Sequence, residues 1–256
     1  MSALNYHKEF PGVPRNNVPN RNAIVRSFVA SKKKYLLIKR FFDIVFSSLA
    51  ILTVLSWLLP VLALLIKAGS KGPVFFKQKR IGLNGKPFIC LKFRTMIPNQ
   101  EADEVQAGKD DCRITRLGGF LRRTNLDELP QFFNVLAGQM SVVGPRPHMV
   151  HDCIRFSFVV SSYAFRGLVR PGITGWAQIN GYHGPTTDYE SIILRYYWDA
   201  QYVRKANLWL DIKIICLSCL QGIRNLFEAI ARLPRKDKKQ MPVISPLKKK
   251  HKKTAH

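Results

Sequence analysis

The sequence predicts an α+β protein, mainly helical, with one small β-hairpin and a seat on a membrane. Three observations predict it. Residues 44–66, IVFSSLAILTVLSWLLPVLALLI, run 23 residues without a charge, enough to match a bilayer core of roughly 30 Å. Two β-prone runs within residues 73–96, PVFFKQKRIGLNGKPFICLKFRTM, flank a turn at Gly82–Gly85 and read as a hairpin. Residues 115–140, 189–205 and 207–228 read as helices, the first broken around Pro130 and the last two amphipathic.

From the N-terminus, residues 1–38 form a basic segment, in which 24–40 mix apolar and basic residues and suit a helix lying on a membrane surface. The membrane segment follows at 39–67. It is basic on both sides, with Lys39 and Arg40 before and Lys67 and Lys71 after, so a positive-inside bias assigns no direction. Pro60 lies within the run and removes the backbone bond to the Ser56 carbonyl. The hydroxyls of Ser56 and Thr53 stand ready to satisfy freed backbone. These features fit a re-entrant helix–break–helix, broken at Ser56 and Pro60, and equally a kinked spanning helix. No signal peptide is expected, since the apolar run begins after residue 40.

A catalytic body is expected over 68–231. Within it, 98–111 is an acidic, polar loop or short helix. SVVGPRPHM (141–149), with two prolines and a glycine, reads as a stiff irregular loop, and 169–188, with four glycines and two prolines, as another. Residues 232–256 form a basic tail whose composition predicts disorder. Such a tail is either simply solvated or touches anionic headgroups, at about 1 kcal/mol per basic residue.

Composition narrows the partners. The 256 residues carry 41 Lys+Arg against 16 Asp+Glu, a net charge of +25, which calls for anionic partners: nucleic acid, an anionic membrane or phosphorylated substrates. Much of the charge sits at the ends, with nine Lys/Arg against one acid in 1–40 and ten against one in 232–256. The hydrophobic fraction of 46% is enough for a core. Five cysteines at unpatterned spacings argue against a disulfide framework, and the lone C-x-x-C of Cys216 and Cys219 reads as packing rather than a zinc site.

Against this basic background LRRTNLDELPQFFN places two adjacent acids, Asp127 and Glu128, behind Arg122 and Arg123. The plain reading is a helix start, with Thr124 or Asn125 as N-cap and the acids in the first turn. Alternatively Pro130 is the first helical residue and the acids lie in the turn before it. Either way the surrounding positive charge is expected to lower both pKa values and keep both acids ionised. An ionised carboxylate can bind Mg2+ or attack phosphorus as a nucleophile. Basic residues in constrained settings accompany the pair: Lys92 and Arg94 in CLKFRTM, Arg146 between Pro145 and Pro147, and Arg170 before Pro171. Prolines on either side of Arg146 stiffen the backbone, so less entropy is lost when its fork meets an anion, a diphosphate above all.

KRFFDI, the apolar run, GPVFFKQKRIGLNGKPFICLKFRTM, TRLGGFLRRTNLDELPQFFNVLAGQMSVVGPRPHM and VRPGITGWAQINGY together resemble the bacterial sugar transferases, the monotopic polyprenyl-phosphate phosphoglycosyl transferases. The resemblance runs from about Lys39 to Leu220, with the motifs in family order. It implies transfer of a sugar-1-phosphate from a UDP-sugar to undecaprenyl phosphate, with release of UMP, at the cytoplasmic face of the bacterial inner membrane. It implies Mg2+ as cofactor, Asp127 as the nucleophile that carries the phosphosugar, and Glu128 as its helper through the metal or a proton. Both acids would be metal ligands. Lys92, Arg122 and Arg146 fall on positions that hold the nucleotide-sugar, and Arg94, Pro145 and Pro147 complete those motifs. Partners are then the UDP-sugar, undecaprenyl phosphate and anionic lipids rather than nucleic acid. The resemblance favours the re-entrant membrane helix, although the family breaks that helix at a contiguous Ser-Pro and here Ser56 and Pro60 stand four apart. The multi-span N-terminal region of larger relatives has no counterpart, which implies the short, catalytic-core form.

Overall fold

The computed structural model describes residues 21–98, 111–184 and 188–231. The basic ends, most of the acidic stretch at 98–111 and part of the 169–188 loop lie outside the described residues. The fold is mostly helical with a small antiparallel sheet, in this order: α1 (Arg21–Ala50), a π-helical turn (Ile51–Leu55), α2 (Ser56–Gly69), β1 (Phe75–Ile81), a 3₁₀ turn (Leu83–Gly85), β2 (Pro87–Phe93), α3 (Arg116–Thr124), a second 3₁₀ turn (Leu126–Glu128), α4 (Gln131–Leu136), β3 (Ser141–Val143), α5 (Val150–Val159), a third 3₁₀ turn (Tyr163–Leu168), β4 (Gly172–Thr174), α6 (Trp176–Ile179), α7 (Tyr189–Lys205) and α8 (Leu208–Ala231).

The hairpin forms as expected. β1 and β2 pair antiparallel from Phe75↔Phe93 to Ile81↔Pro87. The turn between them puts Asn84 and Gly85 at φ 54 and 77, which an asparagine and a glycine tolerate best. The open edge of β2 is closed by a side chain: Asn134 of α4 accepts from Leu91 N at 2.9 Å and donates to Ile89 O at 2.7 Å. Helix α4 therefore docks on the hairpin as a further strand would.

A second sheet was not expected. β3 and β4 pair in parallel, Ser141↔Gly172 and Val143↔Thr174, inside the two segments read as loops. Each strand is three residues long, too short for alternation to register. The signal lay in the glycines: a Cβ on Gly172 would stand 2.1 Å from Gly144 N, and one on Gly175 2.2 Å from Gly144 O. Backbones meet there at a distance that only glycine permits.

Two helical stretches, 30–69 and 208–231, are long and apolar enough to cross a membrane. The first bends at Lys32, whose φ of −118 is not helical, and Lys32 Nζ donates to Arg204 O and Ala206 O at the end of α7. Its irregular turn falls at Ile51–Leu55, just before Ser56, while Pro60 sits inside α2. The irregular turn thus lies just before the Ser56–Pro60 position, within one helical stretch from 30 to 69. A π turn already kinks a helix, and the hydroxyls serve it: Thr53 Oγ1 donates to Leu49 O and Ser56 Oγ to Leu52 O, each at 2.7 Å. Neither reaches the Ser56 carbonyl that Pro60 leaves free.

The basic–apolar motif at the foot of α1 fastens it to the body. Lys39 pairs with Asp211 of α8 at 2.9 Å, both buried. Arg40 donates to Val135 O and Leu136 O, covering the C-terminal carbonyls of α4. Asp43 accepts from Ser141 Oγ at 2.9 Å and Val142 N at 3.0 Å, joining α1 to β3. Beyond these, Leu52, Trp57 and Leu64 are exposed. Three buried clusters hold the body among the described residues: one beneath β3, α7 and α8 around Val143, Val203 and Ile214, one where Leu62 and Ile66 of α2 meet Phe93 and Leu121, and one around Cys153, Phe156, Tyr163 and Ile192.

Candidate active site

Helix α3 delivers the chain to the acid pair. Thr115 caps it by accepting from Gly118 N at 2.9 Å. Gly118 lies against Thr95, where a Cβ would stand 1.9 Å from the Thr95 carbonyl oxygen, so α3 crosses close to the end of β2. The helix stops at Asn125, left-handed at φ 57, a favoured way to end a helix. Leu126–Glu128 then forms one 3₁₀ turn, and Pro130 immediately precedes α4. Asn125 both closes α3 and stands at the N-cap of the 3₁₀ turn, with the acids in its first turn as one reading expected, although its side chain makes no capping bond; Thr124 is not the cap, since its Oγ1 bonds Phe120 O within α3. The acids also lie in the turn just before α4, with Pro130 at that helix's N-cap rather than as its first residue.

Two cations from other elements meet this turn. Lys92 of β2 donates to Glu128 Oε1 at 2.6 Å. Arg146 donates through Nη2 to Oε1 at 2.6 Å and through Nη1 to Oε2 at 3.0 Å, a bidentate fork. Both oxygens of Glu128 are therefore occupied. Asp127 differs: its nearest cation is Lys92 Nζ, 4.0 Å from Oδ2, and among the described residues it accepts no hydrogen bond. Both acids are only 7% exposed.

This asymmetry separates two adjacent carboxyls. Burial would raise Glu128, but Arg146 and Lys92 hold it well below the usual carboxylate range. Burial raises Asp127 to about 6, opposed by Lys92 and reinforced by the Glu128 charge. The expectation that both would be lowered is met by Glu128 alone, because the cations bond only to that residue. Acid pairs driven apart in this way mark sites where one group must change state.

The remaining expected residues divide. Arg122, at the end of α3, bears on Asp127 electrostatically, and its buried Nη1 has no partner among the described residues. Pro145 and Pro147 flank Arg146 in a loop whose carbonyls are all engaged, as described below. Arg94 points elsewhere: it donates to Lys71 O (2.9 Å), Ser70 O (2.7 Å) and Ile66 O (3.3 Å), closing the C-terminus of α2. It is buried because it caps a helix, not because it meets the acids. Arg170 likewise donates to Gly138 O. Arg80, Arg166, Asp199 and His183 went unremarked in the sequence. His183 lies close enough to Arg146 and Glu128 to feel both, and burial with the Arg146 charge lowers its pKa. No local spacing signals these residues, since each comes from a different segment.

Among the described residues no three His, Cys, Asp or Glu side chains cluster as a metal cage. The donor set suits Mg2+ in one way: Asp127 offers carboxylate oxygens free of hydrogen bonds, while Glu128 would have to release Lys92 or Arg146. A single carboxylate is a usual protein contribution where phosphate oxygens complete the Mg2+ shell. A cavity of ≈ 40 Å³ beside the dyad loop, lined by Gly82, Gly85, Pro145, Arg146 and Tyr163 among others, has room for a few waters.

Comparison with known proteins finds a family model described as "Bacterial sugar transferase" over residues 34–225. The chain is 50% identical over 191 residues to the UDP-glucose:undecaprenyl-phosphate glucose-1-phosphate transferase of Klebsiella pneumoniae, covering 74% of this chain and 41% of that protein. It is 42% identical over 182 residues to the UDP-N-acetylgalactosamine-undecaprenyl-phosphate N-acetylgalactosaminephosphotransferase of Aeromonas hydrophila, covering 71% and 42%. It is 46% identical over 185 residues to the exopolysaccharide production protein PSS of Rhizobium leguminosarum bv. phaseoli, covering 70% and 92%. The chain thus spans about two fifths of the first two relatives and most of the third.

Proposed function

The chain belongs to the bacterial sugar transferase family, and on that footing we propose that it transfers a sugar-1-phosphate from a UDP-sugar to undecaprenyl phosphate. The observation that carries the reading is the split acid pair. Glu128 is held as an anion by Lys92 and Arg146, and Asp127 is left without a hydrogen bond.

An ionised Asp127 oxygen attacks the phosphorus next to the sugar. The bond from that phosphorus to the bridging oxygen breaks, and UMP leaves with the bond's electron pair. A phosphate oxygen of undecaprenyl phosphate then attacks the same phosphorus, which frees the Asp127 carboxylate. Splitting the transfer lets a soluble donor and a lipid acceptor use one site in turn. Lys92, Arg122 and Arg146 supply fixed positive charge where the diphosphate must approach a carboxylate. Glu128 keeps Lys92 and Arg146 in place beside Asp127. Mg2+, held by Asp127 and the diphosphate, would add positive charge against the same repulsion.

The apolar run is proposed as a re-entrant limb in the cytoplasmic membrane, with the catalytic body in the cytoplasm. Both limbs pack on that one body, α1 through Asp43 and α2 through Leu62 and Ile66, which supports entry and exit by the same face. Leu55, in the π turn, is 2% exposed amid exposed neighbours. External labelling of a cysteine placed at residue 20 in intact cells, with the body inaccessible, would refute this topology. Relatives act on UDP-glucose or UDP-N-acetylgalactosamine by name at comparable identity. A UMP-release screen over a panel of UDP-sugars with undecaprenyl phosphate therefore tests activity and identifies the sugar together. No UMP with any of them would overturn the reading.

A further inference from the structure

Four successive carbonyls behind Arg146 are bonded from outside their loop. Pro145 O accepts from Gly172 N at 3.0 Å, Arg146 O from Arg166 Nη2 at 2.6 Å, Pro147 O from Arg80 Nη1, and His148 O from Ile81 N at 3.0 Å. Pro145 and Pro147 have no N–H to bond, so these carbonyls are the main-chain handles of both residues. The Arg166 contact stands at the head of a relay. Asp199 Oδ2 accepts from Arg166 Nε at 3.0 Å and Nη2 at 2.7 Å, with Arg166 8% and Asp199 1% exposed. His148 fills the remaining side, its Nδ1 meeting the Tyr163 hydroxyl and Arg166 Nη1. One guanidinium thus joins a buried carboxylate to the backbone of the residue whose side chain forks onto Glu128.

We infer that Arg166, oriented by Asp199, is a positioning residue for Arg146. It holds the Arg146 main chain where the fork lies flat on Glu128 and where Asp127 is left unbonded. The inference rests on the transferase reading of the dyad and adds to it a residue that bonds neither Asp127 nor Glu128. A lysine keeps the charge but is a single point, and cannot serve Asp199 and the Arg146 carbonyl with one planar fork.

The test is a double-mutant cycle on the full chain, read by UMP release from UDP-glucose, or from whichever UDP-sugar proves active, with undecaprenyl phosphate. Arg146→Lys is expected to lower kcat/KM about 100-fold and Arg166→Lys about 10-fold, the scale of a misplacement on the order of 1 Å. If Arg166 acts through Arg146, the double variant stays near about 100-fold. Independent effects would multiply to about 1000-fold and overturn the inference, since a loss of folded protein multiplies in the same way. The Arg166→Lys loss is also expected in the KM for UDP-sugar and kcat, with KM for undecaprenyl phosphate unchanged. An equal rise in both KM values counts against positioning.

Should Arg166→Lys fold poorly, Arg166→Met with Asp199→Leu removes both charges together and leaves neither buried unpaired. The same non-additivity with Arg146→Lys is required of it. No UMP from the unsubstituted chain would overturn the transferase reading and the inference with it, whereas an active chain with additive effects overturns the inference alone.

Discussion

At the foot of α1, Lys39 reaches Asp211 at 2.9 Å, and Tyr35 and Tyr202 donate to the same carboxylate at 2.9 and 2.7 Å. At the dyad, Asp127 is buried to a similar degree, yet its nearest cation stands 4.0 Å away. The first carboxylate has every partner that a buried charge needs. The second lacks them while its neighbour Glu128 takes the cations. The saturated charge suits a role in holding the fold; the incomplete one suits the proposed attack on a substrate, and its cost appears as a pKa raised to about 6 by burial.

The largest effect that would break this comparison is expected from Asp127→Asn. UMP release should fall by more than about 1000-fold, the scale on which a lost nucleophile is felt. Because the folded pKa lies above the ordinary value, ionising Asp127 works against folding once pH exceeds that ordinary value, and does so fully above about 6. The asparagine should therefore leave Tm at pH 7 unchanged or raised, and near-normal turnover in this variant would refute the nucleophile.

Lys39→Met tests the other region. It leaves Asp211 buried without its cation and should cost about 3–5 kcal/mol in denaturant unfolding. Adding Asp211→Leu should recover most of that loss, as it should not if the pair served catalysis. Glu128→Gln comes next: the fork and Lys92 lose their anion, and kcat/KM should fall about 100-fold with a smaller change in Tm.

Milder still is pH. If the ionised Asp127 attacks, kcat/KM should fall about tenfold per unit below about pH 6. A profile flat down to pH 4 would show that Asp127 is not held high. The smallest effect is expected at Ser56, whose hydroxyl bonds an exposed helical carbonyl. Ser56→Ala should shift stability by less than about 0.5 kcal/mol, leaving activity intact. A large loss of membrane-bound activity would make the hydroxyl, and not the π turn, the source of the bend.

Much of the architecture was legible where the signal is local. The hairpin, its Gly82–Gly85 turn and helix α7 at Tyr189–Lys205 lie where the residues place them. Asp188 caps α7 by accepting from Ser191 N, and Asn207 caps α8 by accepting from Leu210 N. The site was legible as a set of residue types and not as an arrangement. Arg94 looked equivalent to Lys92 two residues away, yet the two have different neighbours: one closes α2, the other meets Glu128. Arg80, Arg166 and Asp199 were illegible because their partners are distant in the chain.

By itself the sequence determined the apolar limb, the hairpin, the long helices and the presence of two adjacent acids among arginines. Periodicity, turn chemistry and the scarcity of acids in a basic chain are properties of neighbouring residues, so they survive without a fold. The tertiary structure decided that β3 and β4 pair in parallel, that a π turn interrupts the apolar helix at Ile51–Leu55, and that Lys92 and Arg146 both close on Glu128. It thereby decided which acid stays free. Partners come to the dyad from 18 and 36 residues away, and the burial that lifts Asp127 exists only once those segments have packed around it.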